Sequence, residues 1–296
     1  MKSALMWLGS LLLAGLLAFK FDPPLSAIQR QLLCDVTLLM LAIAALCFVV
    51  GELTRNFSQV DKLWSIVPVL YAWVATVEGG LQPRMLLMAG VATIWGIRLT
   101  YNFSRHGGYS WKFWSGHEDY RWEHVRKKPG LGHPAVWALF DLFFIALYQN
   151  ALLLAIALPI VMVHDTGAPG LLDYALAAVY IGLVAMETVA DQQQWNFQKE
   201  KKRRIAAGEK SDGFISSGLW SRSRHPNYFA EQSIWVVFFL FSVAATGHLN
   251  WSIAGCLLLI VLFRGSSNLS ESLQVAKYPR YADYQKRVPR FLPKIF

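Results

Sequence analysis

Charged residues are scarce in this 296-residue chain, at 16% of the total, and only three residues are cysteines. So small a charged fraction, beside 55% hydrophobic residues, excludes an intrinsically disordered chain and argues against an ordinary soluble enzyme. Three cysteines do not make a disulfide framework in a chain of this length. Because Cys34, Cys47 and Cys256 all fall in apolar runs, we interpret them as small buried hydrophobes.

Long apolar stretches dominate the chain instead, and its mean hydropathy is +0.35. A helix needs about 20 apolar residues to cross the hydrocarbon core of a bilayer. Eight segments approach that length: 3–19, 32–53, 63–77, 85–103, 135–163, 171–190, 232–246 and 249–264. The third and seventh are short. We therefore expect an all-α, polytopic integral membrane bundle of seven or eight transmembrane helices.

Lysine and arginine are concentrated in three segments, 105–134, 196–226 and 264–296, which hold 21 of the 28 basic residues. Eight alternating helices would place all three segments, and both termini, on one side of the membrane. The positive-inside rule makes that side cytoplasmic. Lys2 before the first apolar run also fits a signal peptide, but no small-residue cleavage site follows the run, which favours a retained helix.

Acidic and amide side chains share one face of the sixth predicted helix. Glu187, Asp191, Gln194 and Gln198 recur at spacings of four, three and four residues. Carboxylates inside membrane helices are costly, so they are functional candidates by default. This polar stripe could accept hydrogen bonds from ribose hydroxyls or an amide, although a stripe that merely ends in the membrane interface would have the same pattern.

A second polar cluster, residues 218–231, comes immediately before the seventh predicted helix. Pro226 suits the first turn of that helix, whose free N–H groups would attract a phosphate. Arg222 and Arg224 could each grip a phosphate with two parallel hydrogen bonds. Asn227 and Glu231 lie four residues apart on one face. An interfacial anchor would explain the arginines but not a buried Glu231, so the cluster favours a ligand site.

Two further groups lie on the predicted cytoplasmic side. Arg98, Tyr101 and Arg105 are spaced three and four residues apart and could face one cavity. Asp61 precedes the third predicted span, where it could be either a helix N-cap or an acid that faces the cavity.

Several other classes of site are not indicated. The seven histidines have neither His-x-x-x-His spacing nor cysteine partners, so we predict no metal site. The basic cluster at 199–204 suits anionic lipid headgroups, and we expect no nucleic-acid partner. The residues describe a cytoplasm-facing pocket that a phosphate-bearing cofactor could enter from the cytoplasm and a lipophilic substrate from the bilayer.

These motifs resemble the steroid 5-alpha-reductase-like membrane reductase family, over roughly residues 55–296. The resemblance is carried by Arg-His-Pro-Asn-Tyr-x-x-Glu at 224–231, by Glu187-x-x-x-Asp191 and by the tyrosine- and proline-rich tail at 278–293. Asp61-x-x-Trp64-Ser65 resembles its bacterial branch. Residues 1–54 are an N-terminal transmembrane extension on this view, and 55–296 the catalytic domain. The Arg-His-Pro-x-Tyr core is also similar to sterol reductases and isoprenylcysteine methyltransferases.

The resemblance implies an oxidoreductase acting on CH–CH groups, in a bacterial inner membrane rather than the endoplasmic reticulum. Its cofactor would be NADPH, bound in a cytoplasm-facing cavity. Asn227, Glu231, Glu187 and Asp191 would hold this cofactor. Other residues would line its phosphates or close the cavity: Arg98, Arg105, Arg222, Arg224, His225, Tyr228, Arg264 and Tyr284.

The implied reaction reduces a carbon–carbon double bond conjugated to a carbonyl in a steroid-, sterol- or isoprenoid-like lipid. Donors aimed at the developing oxyanion are typically worth about 3–4 kcal/mol. Steroid reductases use a glutamate and a tyrosine there. In this chain Asp61 is the nearest acid, Trp95 falls near the tyrosine's position, and Tyr101 is the nearest tyrosine, so we expect Asp61 and Tyr101 to be catalytic. The alternatives are an S-adenosylmethionine-dependent methyltransferase and a non-catalytic lipid-binding protein.

Overall fold

The computed structural model describes residues 15, 18–112, 118–211 and 213–294, apart from the side chain of Tyr120. Every regular element within these ranges is a helix, which confirms the all-α prediction. In chain order the α-helices are α1 (Ala27–Thr54), α2 (Gln59–Leu63), α3 (Val67–Glu78), α4 (Pro83–Arg105), α5 (Tyr120–Arg126), α6 (Pro134–Phe140), α7 (Gln149–Ala157), α8 (Pro159–Met162), α9 (Leu171–Ala206), α10 (Pro226–Thr246), α11 (Ile253–Lys277) and α12 (Tyr281–Arg287).

Five of the described helical segments are long and apolar enough to cross a membrane. They are α1, the segment Pro134–Met162, α9, α10 and α11. The chain is therefore an integral membrane protein with multiple apolar helices. The seventh predicted span proves long enough, because α10 begins at Pro226 and has 21 residues. The missing N–H of Pro226 costs little in that first turn.

The other three predicted spans are not among these five helices. The segment 3–19 lies almost entirely outside the described residues. The third predicted span corresponds to α3, which has only 12 residues. The fourth corresponds to α4, which has 23 residues but carries Arg84 and Arg98 within its length.

The segment Pro134–Met162 is not a regular α-helix. A π-helix, Asp141–Tyr148, lies between α6 and α7, and Pro159 begins the short α8. Such wide turns are rare and occur frequently at functional sites. The rings of Phe140, Phe144 and Tyr148 stack along this segment, with centroid separations of 4.9 and 5.4 Å. Residue patterns did not indicate a π-helix here, because a mostly apolar run is compatible with either helix type.

Extensive packing between α9 and α10 brings the two predicted polar motifs together. The helix α4 packs against α9 on one side of this pair, and α11 packs against α10 on the other. Trp95 of α4 and Trp235 of α10 meet edge to face, 4.8 Å apart, and both are fully buried. This contact fixes the polar face of α4 opposite those of α9 and α10.

A buried ion pair joins α4 to the start of α9, far along both helices from the polar motifs. Arg84 Nε lies 3.0 Å from Asp173 Oδ1, and the side chains are 8% and 3% exposed. The remaining guanidinium donors bind the backbone carbonyls of Thr166 and Ala168. Because every charge in this cluster is compensated, the loop before α9 is held against α4.

Substitution of Arg84 with methionine should destabilise the protein strongly, because the Asp173 carboxylate would stay buried without its cation. We expect a loss of about 3–5 kcal/mol in the free energy of unfolding, measured by denaturant titration in detergent micelles. Lys127→Met, which breaks an exposed pair with Glu123, is the control and should cost less than about 1 kcal/mol. Equal losses in the two variants would contradict this account.

Candidate functional site

A buried arginine joins the two acids of the α9 stripe. Arg98 Nη1 lies 2.8 Å from Glu187 Oε1, and Arg98 Nη2 contacts Asp191 Oδ2. The side chains of Arg98, Glu187 and Asp191 are 9%, 6% and 12% exposed. At this burial an unpaired charge would be very costly, so the ion pairs hold α4 and α9 in register.

Amide groups complete the surroundings of Asp191. Asn102 Nδ2 donates to Asp191 Oδ2 over 2.8 Å, and Asn227 Nδ2 donates to Asp191 Oδ1 over 3.2 Å. Asn227 comes from the first turn of α10. The Asp191 carboxylate therefore connects α4, α9 and α10, as one would expect if the predicted stripe faced the Arg-His-Pro-Asn motif.

Glu231 is buried one turn further along α10. Its two carboxylate oxygens accept hydrogen bonds from the indole nitrogens of Trp95, at 2.8 Å, and Trp235, at 3.1 Å. Glu231 is only 4% exposed, and it also interacts electrostatically with Glu187. Two tryptophan donors thus orient the buried carboxyl group of Glu231. A cluster that served only as an interfacial anchor would not need such a group.

These acids form one wall of a cavity of about 640 Å³. Glu187, Asp191, Asn227, Tyr228 and Glu231 line its polar side. Apolar side chains cover most of the rest, from Leu99 and Phe103 on α4 to Phe144 of the π-helix and Val261 of α11. A volume of this size and a few polar groups within apolar walls are typical of ligand sites.

Asp61 faces this cavity rather than capping a helix. The N-cap of α2 is Ser58, and Asp61 lies within the helix. Trp122 Nε1 donates to Asp61 Oδ2 over 3.3 Å, and Arg121 Nη2 lies 3.8 Å from Asp61 Oδ1. Burial raises the pKa of Asp61 above its usual range, while the Arg121 guanidinium acts in the opposite direction. The structure thus decides between the two alternatives left open by the sequence.

A second, smaller cavity of about 190 Å³ lies next to the first, and Asn227 and Tyr228 line both. Three amide oxygens, Asn227 Oδ1, Gln194 Oε1 and Gln274 Oε1, are buried at this cavity without a hydrogen-bond partner among the described residues. Buried polar groups are normally satisfied. These amides are therefore suited to a ligand that brings its own hydrogen-bonding groups.

The carboxylate of Glu271 on α11 organises the wall between the smaller cavity and the C-terminal tail. It binds Arg224 Nε at 2.7 Å, His225 Nε2 at 3.0 Å and Arg290 Nη2 at 3.2 Å. Gln285 Nε2 donates to it as well, over 2.8 Å. The positive charge of Arg224 is therefore compensated by Glu271 and does not act on the cavity.

The tail is also held through its backbone. Arg224 N donates to Pro289 O over 2.9 Å, and His225 N donates to Arg290 O over 3.0 Å. The hydroxyl of Tyr284 donates to the carbonyl of Trp220. These contacts fasten the tail, from the end of α11 to position 294, across the cluster that precedes α10. Tyr281 and Tyr284 of the tail therefore line the smaller cavity.

Most of the predicted site residues converge. Arg98, Glu187, Asp191, Asn227 and Glu231 surround the larger cavity or bind its wall, together with Asp61 and Tyr228. The smaller cavity is lined by Arg224, His225 and Tyr284. The ring of His225 stacks on that of Tyr228, with centroids 5.1 Å apart.

Four predicted residues lie elsewhere. Tyr101 is 66% exposed, and neither Arg222 nor Arg264, both exposed, is among the residues that line the two cavities. The cavity side of α4 carries Leu99, Asn102 and Phe103, and the helical period turns Tyr101 away from it. The structure does not bring these three residues to either cavity. Arg105 lies at the rim, where it binds Gln192 over 2.6 Å.

Sequence reasoning missed Glu271 and Gln149. The predicted last span ends at residue 264, whereas α11 continues to Lys277, so Glu271 was never considered as part of a helix. The signal that could have identified Glu271 was its spacing. It lies seven residues beyond the predicted end, which is two helical turns along the same face. Gln149, a buried amide in an otherwise apolar segment, is a similar signal.

The fold defines an integral membrane protein with multiple apolar helices, and the partly polar cavity where these helices meet is its candidate ligand site. The chain belongs to the family described as "Protein of unknown function (DUF1295)", whose match covers residues 47–288 and hence every residue that lines the two cavities. It is similar to the uncharacterized protein C594.04c of Schizosaccharomyces pombe, at 36% identity over 261 residues, 82% of this chain and 74% of the yeast protein. No solved structure matches the chain.

Replacing Glu271 with glutamine should loosen the tail. The substitution removes the charge that holds Arg224 and Arg290, and hydrogen bonds to charged groups contribute about 1.5–3 kcal/mol each. We expect the amides of Arg224 and His225 to exchange with deuterium at least about tenfold faster, since a factor of ten corresponds to ~1.4 kcal/mol.

The matched control is Glu200→Gln, which removes an acid from exposed pairs with Arg203 and Arg204. It should leave exchange at residues 222–225 unchanged. Unchanged exchange in the Glu271 variant too would show that the backbone contacts hold the tail without the carboxylate.

Proposed function

We propose that this protein is an NADPH-dependent membrane oxidoreductase that reduces a carbon–carbon double bond conjugated to a carbonyl in a lipophilic substrate. The observation that carries the proposal is the convergence of Glu187, Asp191, Asn227 and Glu231 on one cavity wall. Those are the positions at which the sequence resembles the steroid 5-alpha-reductase-like family. The polar wall suits a cofactor, and the large apolar space beside it suits a lipid.

The residues present fit the amide and hydroxyl groups of such a cofactor. Asn227 and Gln194 offer buried amide oxygens that have no hydrogen-bond partner in the described part of the chain, and Gln274 offers a third. Asp191 and Glu231 would accept hydrogen bonds from ribose hydroxyls or the carboxamide. When bound, NADPH would supply the hydride for the electron-poor carbon of the double bond.

Asp61 is suited to stabilise the negative charge that develops on the substrate. As a hydride reaches the substrate, negative charge develops on the carbonyl oxygen, and a donor aimed at that oxygen lowers the barrier. A carboxylic acid must be neutral to donate, and the raised pKa of Asp61 favours its neutral form. Trp122 holds Asp61 Oδ2 from the side, which leaves the acid oriented toward the cavity.

A specific observation favours the second candidate, an S-adenosylmethionine-dependent methyltransferase. The cations near the cavities are compensated, since Arg98 binds two carboxylates and Arg224 binds Glu271. Arg222 and Arg264 are exposed. A wall rich in acids and poor in uncompensated cations can also hold a positively charged cofactor.

The orientation forms part of the proposal. The helices α3 and α4 and the segment 3–19 would join the five long apolar helices as further spans, giving eight in all. Both termini and the basic segments would then face the cytoplasm of a bacterial inner membrane. The smaller cavity, beside the basic tail, would be the cofactor's point of entry.

Titration of the purified protein with NADPH tests the cofactor directly. We expect saturable binding, and Asn227→Ala should weaken it by about fivefold or more, since it removes a hydrogen-bonding amide worth ~1 kcal/mol. Glu231→Ala should weaken it likewise. Saturable binding of S-adenosylmethionine in place of NADPH would favour the methyltransferase, and binding of neither would favour a non-catalytic lipid-binding protein.

The pH dependence of turnover tests Asp61. Because its pKa is raised, the protonated form persists above the range of an exposed aspartate and is lost as the pH rises through the raised value. Consumption of NADPH with an enone sterol should therefore decrease on the alkaline side. Asp61→Ala should lower the rate by about a hundredfold, the usual effect of losing one oxyanion donor, and should remove this pH dependence.

The control for this experiment is Glu123→Gln, an exposed position on the same short helix as Trp122. Its pH profile should match that of the unmodified protein. An unchanged profile in the Asp61 variant would remove this residue from the mechanism.

A further inference from the structure

One wall of the larger cavity is built from stacked aromatic rings. Phe144 and Tyr148 of the π-helix both line the cavity, and their ring planes are inclined by only 17°. Phe140 continues the stack from α6. The result is a smooth apolar surface that runs along the membrane-crossing segment from α6 to the start of α7.

The opposite wall is a face of α11 with a glycine at its centre. Val261, Leu262, Gly265, Ser266 and Leu269 recur at helical spacing and all line the cavity. A Cβ atom added to Gly265 would meet no atom within 4 Å. The glycine therefore borders open space, and a larger side chain at this position would project into it.

Among the described residues, the two walls have no extensive packing against each other. The helix α11 packs against α7, and the π-helix packs against α1, α6 and α7. Phe144 is 41% exposed and Val261 is 36% exposed, although both line the cavity. Since both belong to helices long and apolar enough to cross a membrane, the gap between them would open toward lipid tails.

A buried amide lies at the inner end of the aromatic wall. Gln149 follows Tyr148, lines the cavity and is only 6% exposed. Within the described part of the chain, its side chain has no hydrogen-bond partner. Because this amide borders the open space of the cavity, its position suits the polar end of a ligand, with Asp61 lining the same cavity.

We infer that the gap between the π-helix and α11 is the portal through which a bilayer lipid enters the cavity. The lipid has one neutral hydrogen-bonding end, held at Gln149 and Asp61, and a slender apolar body that lies between the aromatic wall and Gly265. A carboxylate end is disfavoured, because Asp61, Glu187 and Asp191 already line the cavity. The inference rests on the proposed function in one respect, because it takes this lipid to be the substrate of the proposed reductase.

Photolabelling tests the portal with the full-length protein in phosphatidylcholine vesicles. The probe is a long-chain alcohol that carries a diazirine in mid-chain, and labelled residues are identified by mass spectrometry. We expect labels on the cavity residues Trp64, Leu99 and Leu262. Gly265→Leu should reduce these labels by about tenfold or more, which corresponds to ~1.4 kcal/mol, because the leucine side chain would occupy the space in which the lipid chain lies.

Gly182→Leu is the matched control. Gly182 is also a helical glycine whose added Cβ meets nothing within 4 Å, but it is not among the residues that line the cavities. Labels on lipid-exposed residues of α1, such as Leu38, serve as an internal reference that neither variant should alter. Gln149→Leu should reduce cavity labelling by the alcohol but not by the same chain with a methyl end.

Cavity labelling that is absent, or that persists unchanged in Gly265→Leu, would overturn the portal. NADPH titration of the same variant separates this result from the proposed function. Intact NADPH binding with lost labelling supports the portal. Absent NADPH binding in every variant, with labelling still sensitive to Gly265, would leave the portal standing and remove the reductase.

Discussion

The pairing of Arg98 with Glu187 and Asp191 is the constraint on which the rest of the structure depends. Three charges lie in the interior of a membrane protein, where each alone would be costly, and the arginine is ion-paired with both carboxylates. The pairing fixes α4 against α9. Asn227 then brings the start of α10 to the same carboxylate, and the cavity forms between these helices and the π-helix.

A consequence of this arrangement is that the charged groups and the apolar surface lie in different parts of the cavity. The acids and amides are grouped at the α9–α10 wall, Asp61 lies on a different element, and the long apolar surface extends to the π-helix and α11. Glu271 performs a comparable task outside the larger cavity, because it compensates Arg224 and fastens the tail. Both clusters use buried ion pairs to position neighbouring hydrogen-bonding groups.

The sequence was sufficient to predict features that follow from local period. The stripe that contains Glu187 and Asp191 needed only helical spacing, and the common face of Asn227 and Glu231 followed from their separation of four residues. The rotation of α4 about its axis depends on tertiary contacts, so the exposed position of Tyr101 could not be predicted from residue spacing. The π-helix at Asp141–Tyr148 could not be predicted, because an apolar run has the same hydrophobicity in either helix type.

Mass spectrometry of small molecules that co-purify with the detergent-extracted protein tests the central claim most directly. A cavity built from the α9 and α10 acids and amides should retain a nucleotide through purification. The account predicts NADP(H) in an amount close to that of the protein, and its loss from Asn227→Ala. Protein that carries S-adenosylmethionine instead, or no nucleotide at all, would contradict it.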